Sequence, residues 1–254
     1  MLLHYKQYGD SGKAVFILHG IFGMLDNWHL VAKTLSANYR VFTIDARNHG
    51  QSPHSEEMSY QLMAEDVIEL ADSLGIPTFK LVGHSMGGKT AMWTAHQFPE
   101  RIEQLVLVDI APKTYKPGHL QYFKAFEEIN WAELNSRKEV DEALMPYEEN
   151  AAVRLFLAKN IDRNAEGGFS VKSNMKALKH AYDEIIGKLD FSRVFDGPVL
   201  FILGAKSHYL KEEDKAYIEQ YFPQAQYTSV EGASHWVQAD NLSGFLEKIR
   251  AFLD

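Results

Sequence analysis

The segment Phe79-Lys-Leu-Val-Gly83-His-Ser85-Met-Gly87-Gly88-Lys89-Thr90 joins a short apolar run to a helix-like stretch and satisfies two different motifs. Gly83-x-Ser85-x-Gly87 is the pattern of a nucleophile elbow, in which a serine occupies a sharp turn between a strand and a helix. Residues 83–90 also satisfy the P-loop pattern, whose backbone amides bind phosphate. The two motifs predict different chemistry, so the rest of the chain has to decide between them.

Features outside this segment favour the nucleophile elbow over the P-loop. His19-Gly20 ends an apolar run and opens a loop of the kind that supplies a second backbone amide to an oxyanion. His235 follows the last predicted strand and precedes the final helix, where a histidine can accept the proton of Ser85. A P-loop usually follows the first strand of its domain, whereas this motif comes after about eighty residues.

Composition excludes several classes of protein. The 254 residues carry 26 basic and 34 acidic side chains, a net charge of −8, and no cysteine. A chain without cysteine has no thiol nucleophile and no cysteine-ligated metal, and an acidic chain is a poor partner for nucleic acid or an anionic membrane. The sequence shows no secretory signal pattern and no apolar run near the ~20 residues that cross a bilayer. We therefore expect a cytoplasmic protein with a small-molecule substrate, no metal and no cofactor.

Short apolar runs alternate with longer amphipathic stretches over most of the chain. The runs predict strands at 14–18, 41–45, 79–83, 105–109, 199–203 and 226–230. The stretches predict helices at 28–35, 63–74, 89–98, 212–222 and 242–253. This alternation predicts an α/β fold with a mostly parallel central sheet covered by helices on both faces. Ligands of such folds bind beyond the carboxyl ends of the strands.

One region breaks the alternation. Residues 113–195 contain no predicted strand, only charged amphipathic stretches with a break at Gly167-Gly168. We expect these residues to form a helical cap, inserted after the Asp109 strand into a core of residues 1–112 and 196–254.

The carboxylate that would stabilise the imidazolium of the histidine is harder to locate. In hydrolases with this elbow it usually follows the strand at 199–203, but Gly204-Ala-Lys-Ser207 has a serine where the aspartate is expected. Asp109 ends a strand nearer to Ser85 at the same edge of the sheet, so we predict that it is the acid; the alternative is a turn-capping role. The acidic run at 212–214 begins a predicted helix, where the helix dipole explains it.

Other polar residues receive structural interpretations. Residues 45–52 are expected to form a rigid turn in which Arg47 pairs with Asp45. His84 is expected to pack beside the elbow, and Lys89 to be an ordinary helix residue. The single histidines spread along the chain, His119 among them, lack the spacing of metal ligands and are interpreted as surface or core residues.

The chain resembles the α/β-hydrolase superfamily over almost its whole length, and more narrowly the YbfF-type bacterial acyl esterases and their mitochondrial abhydrolase relatives. Besides residues 83–90, the motifs that carry the match are His19-Gly20-Ile-Phe-Gly23, Asp45-Ala-Arg-Asn-His-Gly50-x-Ser52-Pro53, Val108-Asp109-Ile-Ala-Pro112 and Gly232-Ala-Ser-His-Trp236. The resemblance implies that Asp109 is the acid. It also implies hydrolysis of short to medium acyl esters, including acyl-CoA thioesters, and explains the P-loop pattern as a family feature.

Together these observations predict a carboxylic ester hydrolase with Ser85 as nucleophile, His235 as base and acid, and Asp109 as the carboxylate. The backbone N–H groups of Met86 and Ile21, or alternatively Phe22, are expected to bind the oxyanion.

The acyl pocket is expected to be lined by side chains next to these residues, namely Ile21, Phe22, Met86, Trp236, Tyr115 and Phe123. The alternatives are C–C bond hydrolysis or perhydrolysis on the same fold, a P-loop nucleotide hydrolase, and a non-catalytic binding protein. The acyl-chain length, the leaving group and the oligomeric state stay open.

Overall fold

The computed structural model describes residues 1–165 and 167–254, and strands and helices alternate through most of them. The described residues contain nine strands: β1 (Tyr5–Tyr8), β2 (Ala14–Leu18), β3 (Arg40–Ile44), β4 (Phe79–His84), β5 (Ile102–Val108), β6 (Ile161–Arg163), β7 (Phe169–Val171), β8 (Val199–Gly204) and β9 (Ala225–Val230). They also contain eleven α-helices: α1 (His29–Leu35), α2 (Tyr60–Ser73), α3 (Met86–Gln97), α4 (Leu120–Glu128), α5 (Arg137–Leu144), α6 (Ala151–Ala158), α7 (Met175–His180), α8 (Tyr182–Ile186), α9 (Glu212–Tyr221), α10 (Val237–Asp240) and α11 (Leu242–Leu253). None of the described helices is both long enough and apolar enough to cross a bilayer.

Seven strands form the central sheet in the order β1-β3-β2-β4-β5-β8-β9. β1 runs antiparallel to β3, and all other neighbouring strands are parallel. The six strands predicted from apolar runs are all present, which confirms the mostly parallel α/β fold. β1 was not predicted, because its sequence Tyr-Lys-Gln-Tyr is polar and only half-buried at the sheet edge.

Both faces of the sheet are covered by helices, as its apolar strands require. In β2, successive side chains point to opposite faces, so Val15 and Ile17 belong to one apolar cluster while Phe16 and Leu18 belong to the other. The cluster around Val15 includes side chains of α1 and α11, and the cluster around Phe16 includes side chains of α2 and α3. The edge at the carboxyl ends of the parallel strands is left for loops and for the cap.

We keep the name cap for residues 113–195, which contain α4 to α8. The expectation that this region has no strand is wrong: β6 and β7 pair antiparallel as a short hairpin, with Gly167 in its turn at φ +94°. Each strand has only three residues, too few to show the alternating pattern that predicts a strand. The two stems of the cap are joined to each other, since Tyr115 N–H donates to Ile186 O (2.8 Å) and Leu189 N–H to Pro112 O (3.0 Å).

Candidate active site

Ser85 lies in the turn between β4 and α3, in a strained backbone conformation of φ +55° and ψ −119°. Non-glycine residues rarely adopt positive φ, and such strain concentrates at functional sites. The glycines of the motif make the turn possible. A Cβ on Gly83 would lie 2.2 Å from the carbonyl oxygen of Gly87, and a Cβ on Gly87 would lie 2.6 Å from that of Leu18 in β2. The segment therefore forms the predicted elbow.

Asp109 occupies the equivalent position on the neighbouring strand. β4 and β5 are parallel with His84 opposite Val108, so Ser85 and Asp109 each follow the last residue of adjacent strands. Asp109 also adopts positive φ, at +49°. The backbone N–H of Ser85 donates to Val108 O (3.2 Å), which ties the two turns together.

The buried carboxylate of Asp109 accepts three hydrogen bonds. Its Oδ2 lies 2.8 Å from His235 Nδ1 and 2.6 Å from the hydroxyl of Ser207, and its Oδ1 accepts from the Gly204 N–H at 3.1 Å. Ser207, which stands where an aspartate is expected, therefore donates a hydrogen bond to Asp109. The alternative that Asp109 merely caps a turn does not explain its bond to His235.

His235 is held from several sides. Because its Nδ1 donates to Asp109, its Nε2 carries a free lone pair. The Tyr209 ring stacks on the imidazole with a centroid distance of 3.6 Å and an interplanar angle of 14°. His84 Nε2 donates to the backbone oxygen of His235 (2.8 Å), and burial lowers the pKa of His84 well below its ordinary value, which keeps that ring neutral. The expectation that His84 packs beside the elbow is confirmed.

The described hydrogen bonds include none between His235 Nε2 and Ser85 Oγ, although both residues line the same cavities. Catalytic hydrogen bonds are often long without substrate and shorten when it binds. The arrangement places a serine hydroxyl, an imidazole and a carboxylate at one edge of the sheet.

The loop after β2 brings the Ile21 N–H group to this edge. Phe22 N–H already donates to His49 Nε2 (3.3 Å), and Phe22 O accepts from Asn160 Nδ2 of the cap (2.7 Å). The alternative that Phe22 N–H binds the oxyanion is therefore wrong. Among the described hydrogen bonds, the N–H groups of Ile21 and Met86 have no acceptor, so they are the candidate oxyanion donors.

Two buried neutral histidines support this loop. His49 Nδ1 donates to Arg47 O (3.0 Å), which leaves Nε2 to accept from Phe22, and burial lowers the pKa of His49 to about 3. His19 Nε2 accepts from the Ala46 N–H (3.0 Å), and burial lowers its pKa to about 4. Both rings stay uncharged acceptors at neutral pH, which preserves these two hydrogen bonds.

The turn at 45–52 is rigid as expected, but its ion pair is different. Arg47 pairs with Asp66 of α2 (2.6 Å), and not with Asp45. Asp45 accepts from the backbone N–H groups of Leu25 and Gln51 (2.7 and 2.9 Å). The carboxylate that pairs with the Arg47 guanidinium lies nearly twenty residues further along the chain, so a local sequence pattern does not reveal it.

Two cavities meet at Ser85 and His235. The first, of about 590 Å³, has few charged side chains in its walls and is lined by Phe22, Tyr122, Val153, Leu155, Phe156, Leu157 and Trp236 among others. The second, of about 700 Å³, has a more charged lining that includes Lys89, Lys113, Lys116, Lys206, Lys211, Glu213 and Asp214. The residues shared by both cavities mark their junction: Ile21, Ser85, Gly118, His119, Tyr209, Ser234 and His235.

The predicted pocket residues divide between these cavities. Trp236 lines the first, and Tyr115 lines the second, where its hydroxyl accepts from Ala111 N–H (2.7 Å) and donates to Tyr209 O (2.9 Å). The assignment of Phe123 to the pocket is wrong. It is 1% exposed and packs behind Phe22, with ring centroids 5.1 Å apart, and lines neither cavity.

Lys89 is neither a phosphate ligand nor an ordinary helix residue. It is 1% exposed, and its Nζ donates to the carbonyl oxygens of Lys113 (2.9 Å) and Gly187 (2.5 Å), one on each stem of the cap. Burial lowers the pKa of Lys89 to about 7. Because its donors are used by the chain itself, the P-loop interpretation is wrong.

Sequence reasoning missed several residues that complete the site. They are Ser207, Tyr209, His49, Asn160 and His119. His49 lies in the motif at residues 45–53, but its partner Phe22 lies in the loop that follows a different strand. Asn160 and His119 come from the cap, where no motif marks them. His119, which was interpreted as a surface or core residue, is half-buried and borders both cavities.

Comparison with known proteins agrees with this geometry. A family model described as alpha/beta hydrolase fold matches residues 13–242. The chain is 37% identical over 262 residues to "sn-1-specific diacylglycerol lipase ABHD11" of Xenopus laevis, a match that covers 99% of this chain and 84% of that protein. It is 32% identical over 249 residues to esterase YbfF of Escherichia coli, covering 98% and 96% of the two chains.

A solved structure is also closely similar. A marine microorganism esterase superposes with a TM-score of 0.96 at 36% sequence identity, and the match covers 99% of each chain. The resemblance drawn from the sequence motifs is confirmed. The chain therefore belongs to the α/β-hydrolase family and is an enzyme of its esterase type.

Proposed function

We propose that this enzyme hydrolyses carboxylic esters through an acyl-enzyme on Ser85. The observation that carries the proposal is the bond between Asp109 Oδ2 and His235 Nδ1 (2.8 Å) at the same sheet edge as the strained Ser85 turn. This bond fixes the tautomer in which Nε2 of the histidine is free to accept a proton.

In the acylation step, Ser85 Oγ attacks the acyl carbonyl carbon while His235 Nε2 takes the hydroxyl proton. The N–H groups of Ile21 and Met86 bind the oxygen as it becomes negative, and Asp109 stabilises the imidazolium. His235 then returns the proton to the leaving oxygen or sulfur as its bond to carbon breaks. Water attacks the acyl-enzyme with His235 again as base, which releases the acid and restores Ser85.

The two cavities suit the two halves of an ester. We assign the acyl chain to the first cavity, because its lining carries two charged side chains, Lys159 and Asp240, against seven in the second. We assign the leaving group to the second, where Lys116 and Lys206 have no ion pair among the described residues. Free lysines favour a leaving group that carries negative charge, which supports acyl-CoA thioesters beside neutral esters.

The relatives widen the choice of substrate to test. The frog relative is named for diacylglycerol, so acylglycerols are candidates as well as short to medium acyl esters and acyl-CoA. A cytoplasmic location stays our prediction from the sequence.

A substrate series tests the proposal. The rate of hydrolysis is measured for p-nitrophenyl esters of increasing acyl length, for acyl-CoA against the uncharged thioester of the same acyl group, and for a diacylglycerol, with identification of the products. We expect ester turnover with an optimum in acyl length, and a preference for acyl-CoA that declines in Lys206→Ala. Absence of any acid product from all three classes would contradict the proposal.

A further inference from the structure

His119 brings a polar group from the cap to the junction of the two cavities. It precedes α4, is half-buried, and lines both cavities together with Ser85 and His235. Its ring lies edge-on to the Phe22 ring, with centroids 5.9 Å apart. None of the catalytic steps proposed above uses this side chain.

The contacts of Tyr182 fix the tautomer of the His119 ring. The Tyr182 hydroxyl oxygen accepts from the backbone N–H groups of Gly118 (3.1 Å) and His119 (3.0 Å). These two bonds use both lone pairs of the oxygen, so its hydrogen must be donated to His119 Nδ1, 2.8 Å away. A neutral imidazole whose Nδ1 accepts a hydrogen bond carries its own hydrogen on Nε2.

The Nε2–H group of His119 has no acceptor among the described residues, although the ring borders an open cavity. Burial, together with the neighbouring His235, lowers the pKa of His119 to about 4, so the ring is a neutral donor at pH 7. An unpaired polar group at a substrate site is costly unless the ligand satisfies it.

We propose that His119 Nε2–H binds a second oxygen acceptor of the substrate, separate from the ester that is cleaved. The scissile carbonyl oxygen is already served by Ile21 and Met86, and the leaving atom by His235. His119 stands where the acyl and leaving-group cavities diverge. The enzyme therefore selects esters that carry an ether, carbonyl or hydroxyl oxygen a few bonds from the scissile ester, a selectivity that rests on the proposed ester hydrolysis.

Matched ester pairs test this selectivity. On the leaving-group side, 2-methoxyethyl butanoate is compared with n-butyl butanoate; on the acyl side, ethyl 4-methoxybutanoate is compared with ethyl hexanoate. Each pair differs only by an oxygen in place of one methylene. The ratio of kcat/KM within a pair is measured for the wild type and for His119→Met, so the intrinsic reactivity of each ester cancels between enzymes.

We expect the preference for the oxygen-containing ester to be about three- to tenfold lower in His119→Met for at least one pair, the effect of one lost hydrogen bond. His119→Gln places an amide N–H at the distance of Nε2 and should keep most of the preference. His180→Met, on the exposed end of α7, is the matched control and should keep the wild-type ratios.

The outcomes separate this inference from the proposed function. If the wild type hydrolyses n-butyl butanoate but both ratios are unchanged in His119→Met, the inference about His119 is overturned and the ester hydrolysis stands. If the wild type hydrolyses none of the four esters and leaves the acyl-CoA and diacylglycerol intact, the proposed function itself fails.

A spectroscopic measurement on the wild type tests the tautomer of His119 directly. Long-range ¹H–¹⁵N spectra of histidine-labelled protein report which ring nitrogen of His119 carries the hydrogen. We expect a protonated Nε2 and an unprotonated Nδ1 in the wild type. In Tyr182→Phe we expect the ring to lose this preference for one tautomer. A hydrogen on Nδ1 would overturn the inference.

Discussion

The sheet edge and the cap contribute to the same site in different ways. Ser85, Asp109 and His235 each follow a core strand, within short motifs whose backbone conformation can be read from the sequence. Asn160 and His119 come from the cap, where single side chains reach the core without any motif. The residues at the sheet edge can therefore be predicted from short stretches of sequence, whereas the cap residues at the site are brought there by tertiary contacts.

The largest effects are expected at the sheet edge. Ser85→Ala and His235→Ala should each lower kcat for a p-nitrophenyl ester by about 10⁴-fold or more, because they remove the nucleophile or its base. Circular dichroism and urea unfolding should show an unchanged fold. A variant that retains turnover would remove that residue from the mechanism.

The choice of acid is tested next. Asp109→Asn should lower kcat by about 10³- to 10⁴-fold, since the amide cannot stabilise the imidazolium, while Glu212→Gln at the start of α9 should leave it unchanged. Ser207→Ala removes one donor to the carboxylate and should cost about tenfold or less. If Glu212→Gln has the large effect and Asp109→Asn the small one, the acid lies after the later strand.

Substitution of a cap residue should lower kcat by a smaller factor than these changes at the sheet edge. Asn160→Leu removes the donor to Phe22 O and loosens the loop that carries the Ile21 N–H, so we expect kcat to fall about tenfold with little change in KM. The control is Asn130→Leu, an exposed asparagine of the cap. A loss confined to KM would show that Asn160 acts on substrate binding and not on the loop.

The smallest effect on activity is expected at Lys89, which joins α3 to both stems of the cap. Lys89→Met should keep ester turnover within a few-fold, because the side chain takes no part in the reaction. Its effect on stability depends on pH. Burial lowers the pKa of Lys89 to about 7, below its ordinary value of 10.5, so between these pH values the unfolded chain binds more protons at this residue.

The free energy of unfolding of the wild type should therefore rise relative to Lys89→Met as the pH increases from 7 to 10. Urea unfolding of both proteins at these pH values measures the difference. A difference that stays constant would mean that Lys89 keeps its charge when buried, and a total loss of activity would contradict the structural role.

Local patterns were sufficient for most of the core and for locating the residues that we propose as catalytic. Apolar runs located the six parallel strands, and the glycines around Ser85 located the elbow because they permit close backbone contacts. The contact of Asp109 with His235 could be anticipated because the Asp109 strand ends at the same edge of the sheet as the elbow. Each of these features depends on residues that are adjacent in the sequence, and such local patterns can be read from a single sequence.

Long-range pairings were not accessible in the same way. The partner of Arg47 is Asp66 on another element, and the hydrogen bond between Phe22 and Asn160 spans 138 residues. Phe123 looked like a pocket residue because it belongs to the cap, but the packing of α4 against Phe22 buries it. Such contacts follow from how the cap packs on the core, and no spacing within the cap predicts them.

The most direct test of the central claim is to label the enzyme with a fluorophosphonate and to map the modified peptide by mass spectrometry. We predict one adduct, on Ser85, which forms in the wild type and is absent after His235→Ala. Labelling of another residue, or an unlabelled Ser85 in an enzyme that still cleaves esters, would contradict the assignment of the nucleophile.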